Sequence, residues 1–464
     1  MRPSRFEYDL YSDLKAAGTF QLQGDKFYCG GTLHYSPNYL PTINIFLFHE
    51  MFKSRSLSEG MYIPCLYGFL EKNVLVTAIN TRVDSSGGTI NGTFLGHNIW
   101  ITPQYLIIGK HVAPADEIIG VDIKINIWQE FRIRNVLINN KEVVFESNSV
   151  ALPNNVEIVI RESANFSYLQ SVKGFLGSFN EDDELLIRKI DDLIKKVEDE
   201  KQSQIDLHHK NNHEFYIRIK KKITADSIDE LENICSAFCY FLTSITGHPV
   251  SPTAIDLILH ESLPDGGKSE IRCSLISPQV ITKEALDRST PFKNVPAPIT
   301  FEKIASEWEQ RLRSFFKKYE ELNEFLHVIK SNMLDLNDRF KITRTVDALK
   351  FCGKEKGKQY TEAVQNFAFE KLQNKLLDIF SAESLALVGK NISSVRNYIV
   401  HRTPSDKEAF DRAMVCPSFL NYIELLLYSY IQSKIGISDG LRQAYQEYWV
   451  SRFEQVRWVS FKPS

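Results

Sequence analysis

Hydrophobic and polar positions alternate with a period of two through much of the first third of the chain, the signature of half-buried strands. Residues 121–128 read Val-Asp-Ile-Lys-Ile-Asn-Ile-Trp, which puts Val121, Ile123, Ile125 and Ile127 on one face. Residues 74–79 and 156–160 are short apolar runs that predict two further strands. Residues 136–138 and 143–145 flank Asn139-Asn140, a hairpin signal, while Gly87-Gly88 and Asn91-Gly92 mark further turns. Short strands at near-regular spacing up to about residue 165 predict a sandwich or a distorted barrel.

Near Asn180 the period lengthens. Leu185, Leu186, Ile190, Leu193, Ile194 and Val197 stand among alternating charges and predict an amphipathic helix over 181–201. A small mixed unit follows, with a strand at 215–219, a helix at 227–246 and strands at 255–260 and 271–276. Ser227 and Glu230 form a capping-box pattern, and Gly247 closes the helix. Pro291, Pro296 and Pro298 mark a linker over 289–300. Beyond it the period is helical, over 301–332, 338–352, 358–381, 384–402, 408–435 and 438–454. The fold class expected is a multidomain α+β protein: a β-rich, sandwich-like region with inserted helices, then an all-α bundle. The domains run 1–290 (a sheet part over 1–180, a connector helix and small α/β part over 181–290) and 300–464.

Composition narrows the function. Net charge is -3, but residues 301–464 carry 25 Lys+Arg against 21 Asp+Glu, a net +4, leaving -7 on the rest. A mildly basic bundle beside an acidic partner suits local phosphate handling. Seven dispersed cysteines argue against a secreted disulfide framework. The start, MRPSRFEYDLYSDL, has no apolar signal region, and no stretch approaches 18 apolar residues. A cytoplasmic protein without a membrane partner is expected.

The candidate chemistry lies in Arg396-Asn397-Tyr398-Ile399-Val400-His401, late in a predicted helix. RNA carries its own nucleophile, the 2′-hydroxyl. An imidazole can move its proton, and a guanidinium fork can hold the phosphate as charge builds. The products would be a 2′,3′-cyclic phosphate and a 5′-hydroxyl. Five helical residues rotate by about 140° and rise about 7.5 Å, so Arg396 and His401 do not stack, whereas Asn397 and His401 share a face. A second protomer is expected to supply the complementary base and the other arginine. With 21 arginines and 11 histidines, an Arg followed by His after four to six residues is expected about 1.5 times by chance in such a chain and occurs once, so a solvated helix end is the plain alternative. Arg402 is a further phosphate contact, and Lys354, Lys356 and Lys358, in a glycine-containing loop, are candidates for touching an RNA backbone or for plain solvation.

The pattern of Arg, a polar residue, three more residues and His in a helical bundle resembles the HEPN ribonucleases. RNYIVHRTP, residues 359–380 and residues 340–349 are similar to the HEPN region of ApeA-type abortive-infection proteins. The N-terminal half resembles the opening of the ApeA β-rich domain, through Ala16-Ala17-Gly18-Thr19-Phe20, Gly30-Gly31-Thr32-Leu33, and Tyr67-Gly68 before residues 74–77. The resemblance implies a metal-independent endoribonuclease in anti-phage defence, without cofactor. It implies a homodimer or higher even oligomer, with Arg396 and His401 catalytic and Asn397 supporting. It also implies an N-terminal region that senses infection, with a phage-encoded trigger protein as candidate partner, or restrains the nuclease. Transfer RNA is a common HEPN target that these residues do not select.

Other motifs carry less. Cys235 and Cys239 lie in an apolar helical run, with His260 and Cys273 later; without a C-x2-C knuckle they read as buried structural cysteines rather than zinc ligands. His208, His209 and His213 read as a solvated loop. There is no G-x-x-x-x-G-K-[ST] and no G-x-G-x-x-G motif, so nothing supports use of a nucleoside triphosphate. The rival function is a non-catalytic HEPN scaffold with a ligand- or protein-binding β-domain, for which Trp100 and Tyr105 are the aromatic candidates.

Overall fold

Strand alternation produces one antiparallel sheet that rolls up at its N-terminal end. The computed structural model describes residues 7–22, 28–48, 57–91, 94–126, 143–146, 149–164, 213–247, 249–263, 266–278, 307–332 and 336–459. The hairpin turn at Asn139-Asn140, the amphipathic helix at 181–201, the linker at 289–300, and His208 and His209 lie outside them.

Strands β1 (Leu14–Leu22), β2 (Cys29–Tyr35), β3 (Thr42–Phe48), β4 (Tyr62–Leu70), β5 (Val74–Asn91) and β6 (Phe94–Ile108) run in the order β3-β2-β1-β4-β5-β6. β3 then pairs with β6, from Ile43 opposite Ile101 to Phe48 opposite Gly96, which closes a barrel. Phe20, Leu33, Ile43, Ile45, Ile99 and Ile101 fill it. Closure removes the exposed edges that a flat sheet would leave. The sheet thus becomes a barrel instead of splitting into the two facing layers of a sandwich.

β6 outruns the barrel. Its Leu106–Ile108 end pairs with β13 (Lys268–Ile276), which leads on to β12 (Pro252–Ser262), β7 (Glu117–Ile125), β11 (His213–Thr224), β10 (Val156–Ala164) and β8 (Val143–Glu146). β9 (Val150–Leu152) also pairs with β10. Val121, Ile123 and Ile125 lie on one face of β7, as the alternation predicts, and share a core with Leu231, Cys235, Phe238, Leu242 and Ile245 of helix α1 (Ile228–Thr246). On the other face Arg218 grips Asp122 through two hydrogen bonds of 2.7 and 2.8 Å, both residues buried. Ser227 occupies the N-cap of α1, but its hydroxyl caps no helical N–H and Glu230 pairs with Lys221, so the capping box does not form. Gly247 ends α1 at φ 73°, a left-handed conformation that favours glycine.

Nine helices follow among the described residues: α2 (Trp308–Lys317), α3 (Tyr319–Asn332), α4 (Asp338–Leu349), α5 (Gln359–Phe367), α6 (Glu370–Phe380), α7 (Leu385–His401), α8 (Lys407–Val415), α9 (Phe419–Lys434) and α10 (Asp439–Val459). Three of the six expected helices are split. Lys318 separates α2 from α3, and Pro417 separates α8 from α9, since it can neither donate its nitrogen nor accept a helical neighbour before it. The break between α5 and α6 has a tertiary cause. Gln446 of α10 accepts from the Phe369 N–H (2.8 Å) and donates to the Phe367 carbonyl (2.5 Å), replacing helical partners.

α9 is the buried centre of the bundle, apolar nearly all round its circumference. The bundle docks on α1 through Phe315 against Phe241 (ring centroids 5.5 Å apart) and Gln432 donating to the Ser244 carbonyl (2.9 Å). Among the described residues no helix is long and apolar enough to cross a membrane.

One carboxyl in this bundle is out of place. Asn332 donates to both Glu424 of α9 (2.5 Å) and Thr345 of α4 (2.9 Å), tying three helices together. Burial pushes the Glu424 carboxyl from 4.5 up to about 7, against the opposing pull of Asn332 and Lys341. The folded protein therefore binds this proton more tightly than the unfolded chain. Stability is expected to fall by about 3 kcal/mol as pH rises from 4.5 through 7, and to change little further above that. Glu424→Gln should flatten this slope when urea unfolding is compared at pH 5 and pH 8.

Candidate functional site

Helix α7 starts where the Ser384 hydroxyl accepts the Leu387 N–H (3.3 Å), an N-cap bond. Val388, Ile392 and Val395 bury one face in the bundle and leave the opposite face at the surface. The helix stops because Arg402 turns left-handed at φ 57°, its N–H donating to the Tyr398 carbonyl (3.0 Å), and Pro404 opens a new turn. His401 is thus the last residue of the helix and is exposed.

Despite their different angular positions, the structure brings Arg396 and His401 together. Arg396 Nη1 lies 3.3 Å from His401 Nε2 within one chain. A guanidinium can only donate, so the contact is a hydrogen bond in the tautomer that turns the Nε2 lone pair to Arg396 and carries its proton on Nδ1. The other side of the guanidinium is held from α4: Arg396 Nε donates to Asp347 Oδ1 at 3.0 Å. Both partners keep solvent access (29% for Arg396 and 47% for Asp347), so this pair contributes only about 0–1 kcal/mol of stability. Its consequence is orientation. Two of the five guanidinium N–H groups are engaged, which leaves three for an incoming anion.

Tyr360, at the start of α5, stands within electrostatic reach of both partners. Burial, with the Asp347 carboxylate adding to it, raises its hydroxyl above the usual tyrosine value, against the pull of Arg396. Tyr360 is therefore a neutral O–H donor beside the ion pair. Neither Asp347 nor Tyr360 was singled out by sequence reasoning. Asp347 lies inside the stretch 340–349 that carried the family resemblance, and as the one acidic residue of that stretch, among Lys341, Arg344 and apolar positions, it was the available signal.

The remaining candidates are placed around this pair. Asn397 is half-buried one helical turn before His401, and no hydrogen bond joins the two. Arg402 is exposed, its guanidinium 5.6 Å from the centre of the Tyr398 ring. Lys354, Lys356 and Lys358 are exposed in the loop that leads to Tyr360. Glu362 anchors that loop by accepting the Lys354 and Glu355 N–H groups (2.5 and 3.2 Å), which holds its carboxyl below the usual range. Lys358 is paired with Glu355 (2.5 Å), leaving Lys354 and Lys356 as the unpaired cations of the loop among the described residues.

Cys235, Cys239 and Cys273 are buried, and burial raises the Cys235 thiol well above its usual value. Among the described residues no group of three or more His, Cys, Asp or Glu is placed to hold a metal. Tyr105 is buried and donates to Glu232 (2.7 Å), whereas Trp100 is exposed, so the two do not line a common surface.

The ApeA N-terminal domain 1 family matches residues 15–315, about two thirds of the chain. The chain belongs to this ApeA family. The match covers the barrel, the extended sheet, α1 and nearly all of α2, and it points to a protein of anti-phage defence. Arg396 and His401 lie beyond it. No similar curated protein and no similar solved structure was found.

Proposed function

We propose that this ApeA-family protein is an endoribonuclease of anti-phage defence that cuts RNA at the Arg396–His401 site without a metal. The observation that carries the reading is the 3.3 Å approach of Arg396 Nη1 to His401 Nε2, with Asp347 steering the guanidinium from behind. A phosphate seated on the guanidinium N–H groups would draw Arg396 Nη1 from His401 Nε2, and the lone pair so freed could take a proton from the 2′-hydroxyl. The 2′-oxygen then attacks phosphorus and the P–O5′ bond breaks. A 2′,3′-cyclic phosphate and a 5′-hydroxyl remain once the leaving oxygen takes a proton. Asn397 supports the site, and Arg402, Lys354 and Lys356 lie where a backbone on either side could be held, with Lys358 reinforcing the loop charge. Transfer RNA is one candidate substrate.

A homodimer or higher even oligomer fits this reading: with His401 of one copy as base, the imidazole of a second copy would protonate the leaving oxygen, the reverse of the roles expected from the sequence. Val400, next to His401 and 45% exposed, offers apolar surface for such a contact. The N-terminal region would act as sensor and restraint, with a phage-encoded protein as trigger.

The test is the chemistry of RNA ends in cells expressing the wild type or His401→Ala. New ends bearing cyclic phosphates should appear with the wild type alone, and chelators should not suppress cleavage by the purified protein. Identical ends in both strains would favour a non-catalytic scaffold. Asp347→Ala should slow cleavage about tenfold without abolishing it, since it frees the guanidinium to drift from its working position. Single-turnover rates would show this.

A further inference from the structure

A cleft of about 440 Å³ opens between α3 and α4, and Asp347, the partner of Arg396, is one of its lining residues. Its walls include Glu324 and His327 from α3, Arg344 and Asp347 from α4, and Phe351 from the turn that follows α4. The volume lies in the lower part of the range of roughly 300–1,000 Å³ typical of small-ligand sites, the size class of one nucleotide. Asp347 belongs to both places: it lines the cleft and holds Arg396. Anything seated in the cleft is thus a direct neighbour of the phosphate-binding fork.

The wall chemistry is specific. Phe351 is 64% exposed, although its neighbour Cys352 is buried and fixes the turn. A large aromatic ring presented to solvent at the mouth of a cleft is a stacking platform for an unpaired base. Arg344 adds one cation, its guanidinium 5.6 Å from the Phe340 ring. Glu324 and Asp347 are acceptors, unsuited to a phosphate but suited to the exocyclic amino group of a base edge. A duplex cannot present a base face to Phe351, because its bases are already stacked.

We propose that this cleft is a subsite for one unpaired nucleotide next to the cleaved linkage. Phe351 stacks on the base, Glu324 accepts from an exocyclic amine, and Arg344 holds the adjoining phosphate. The subsite would favour adenine, cytosine or guanine over uracil, which has no amino group. The inference rests on the nuclease reading for its neighbour, but its test is independent of cleavage.

The test uses full-length His401→Ala protein and fluorescent eight-nucleotide RNAs, one rich in adenine and cytosine and one of uridine alone, read by anisotropy. Phe351→Ala in that background should weaken binding of the mixed RNA about tenfold, and Phe351→Trp should restore it. Glu324→Gln should shrink the preference for the mixed RNA over oligouridine. An unchanged Kd for Phe351→Ala, or no preference between the two RNAs, would overturn the subsite. Phe351 is exposed, so thermal unfolding of these variants should match the parent. The two readings separate cleanly. Phe351-dependent binding without wild-type cleavage keeps the subsite and removes the nuclease. Wild-type cleavage at sites indifferent to Phe351 and Glu324 does the reverse.

Discussion

His401→Ala should lower the rate of RNA cleavage at least a hundredfold while leaving thermal unfolding where it was. Loss of a positioned general base or acid costs on the order of 10²–10⁴ in rate. The imidazole is exposed at a helix end, and substitutions at such positions usually change stability by less than about 0.5 kcal/mol. Arg396→Ala should cost on the order of 10²–10³, the size expected when a donor to developing negative charge is removed. Arg396→Lys should recover little of this. An ammonium can replace the charge, but it cannot reach Asp347 and His401 at once and still offer N–H groups to a phosphate. Steady-state rates on a defined RNA, with melting curves alongside, would check all three. Wild-type rates in both His401→Ala and Arg396→Ala would leave only a scaffold.

The site was half legible in the amino-acid sequence, for a reason of geometry. Arg396 and His401 belong to one helix, so their spacing can be read along the chain. Helical geometry argued that they point apart by about 140°, and only the reach of the arginine side chain closes that angle to 3.3 Å. Asp347 and Tyr360 come from two other helices, 49 and 36 positions before Arg396, and no local pattern brings them to it. The same division runs through the fold. Alternation in β7 placed Val121, Ile123 and Ile125 on the core face, where they are found. Barrel closure depends on β3 meeting β6, a pairing between segments far apart in the chain that local periodicity does not encode.

Helix boundaries show the contrast at finer scale. The stretch 408–435 read as one helix because its apolar period runs on, yet Pro417 stands inside it and splits it. That break was available to sequence reasoning. The break at 368–369 was not, since neither residue is Gly or Pro; it exists because Gln446, from the last helix, takes over the backbone groups there. That the lysine loop is a surface loop could be read from its charge and glycines, but the anchoring of that loop by Glu362 could not.

Gly389→Val should destabilise the bundle by about 3 kcal/mol and slow cleavage at least tenfold, although Gly389 touches neither Arg396 nor His401. A glycine in mid-helix ordinarily costs about 1 kcal/mol relative to alanine, so its presence in α7 calls for a packing reason. The reason is α5. A Cβ on Gly389 would stand 2.6 Å from both the Cα and the backbone nitrogen of Thr361, and backbone cannot swing aside as a side chain can. The two helices would have to separate, and Thr361 directly follows Tyr360, the hydroxyl beside the Arg396–Asp347 pair. Displacing α5 therefore moves part of the site as well as part of the core. Gly389→Ala meets the same backbone but recovers helix propensity and adds no branch at Cβ, so its effect should have the same sign and be smaller. Urea unfolding followed by single-turnover cleavage at a temperature where both variants remain folded would separate the two effects. If Gly389→Val kept wild-type stability, α5 and α7 could not cross as closely as this glycine permits, and the placement of Tyr360 beside Arg396 would fall with that crossing.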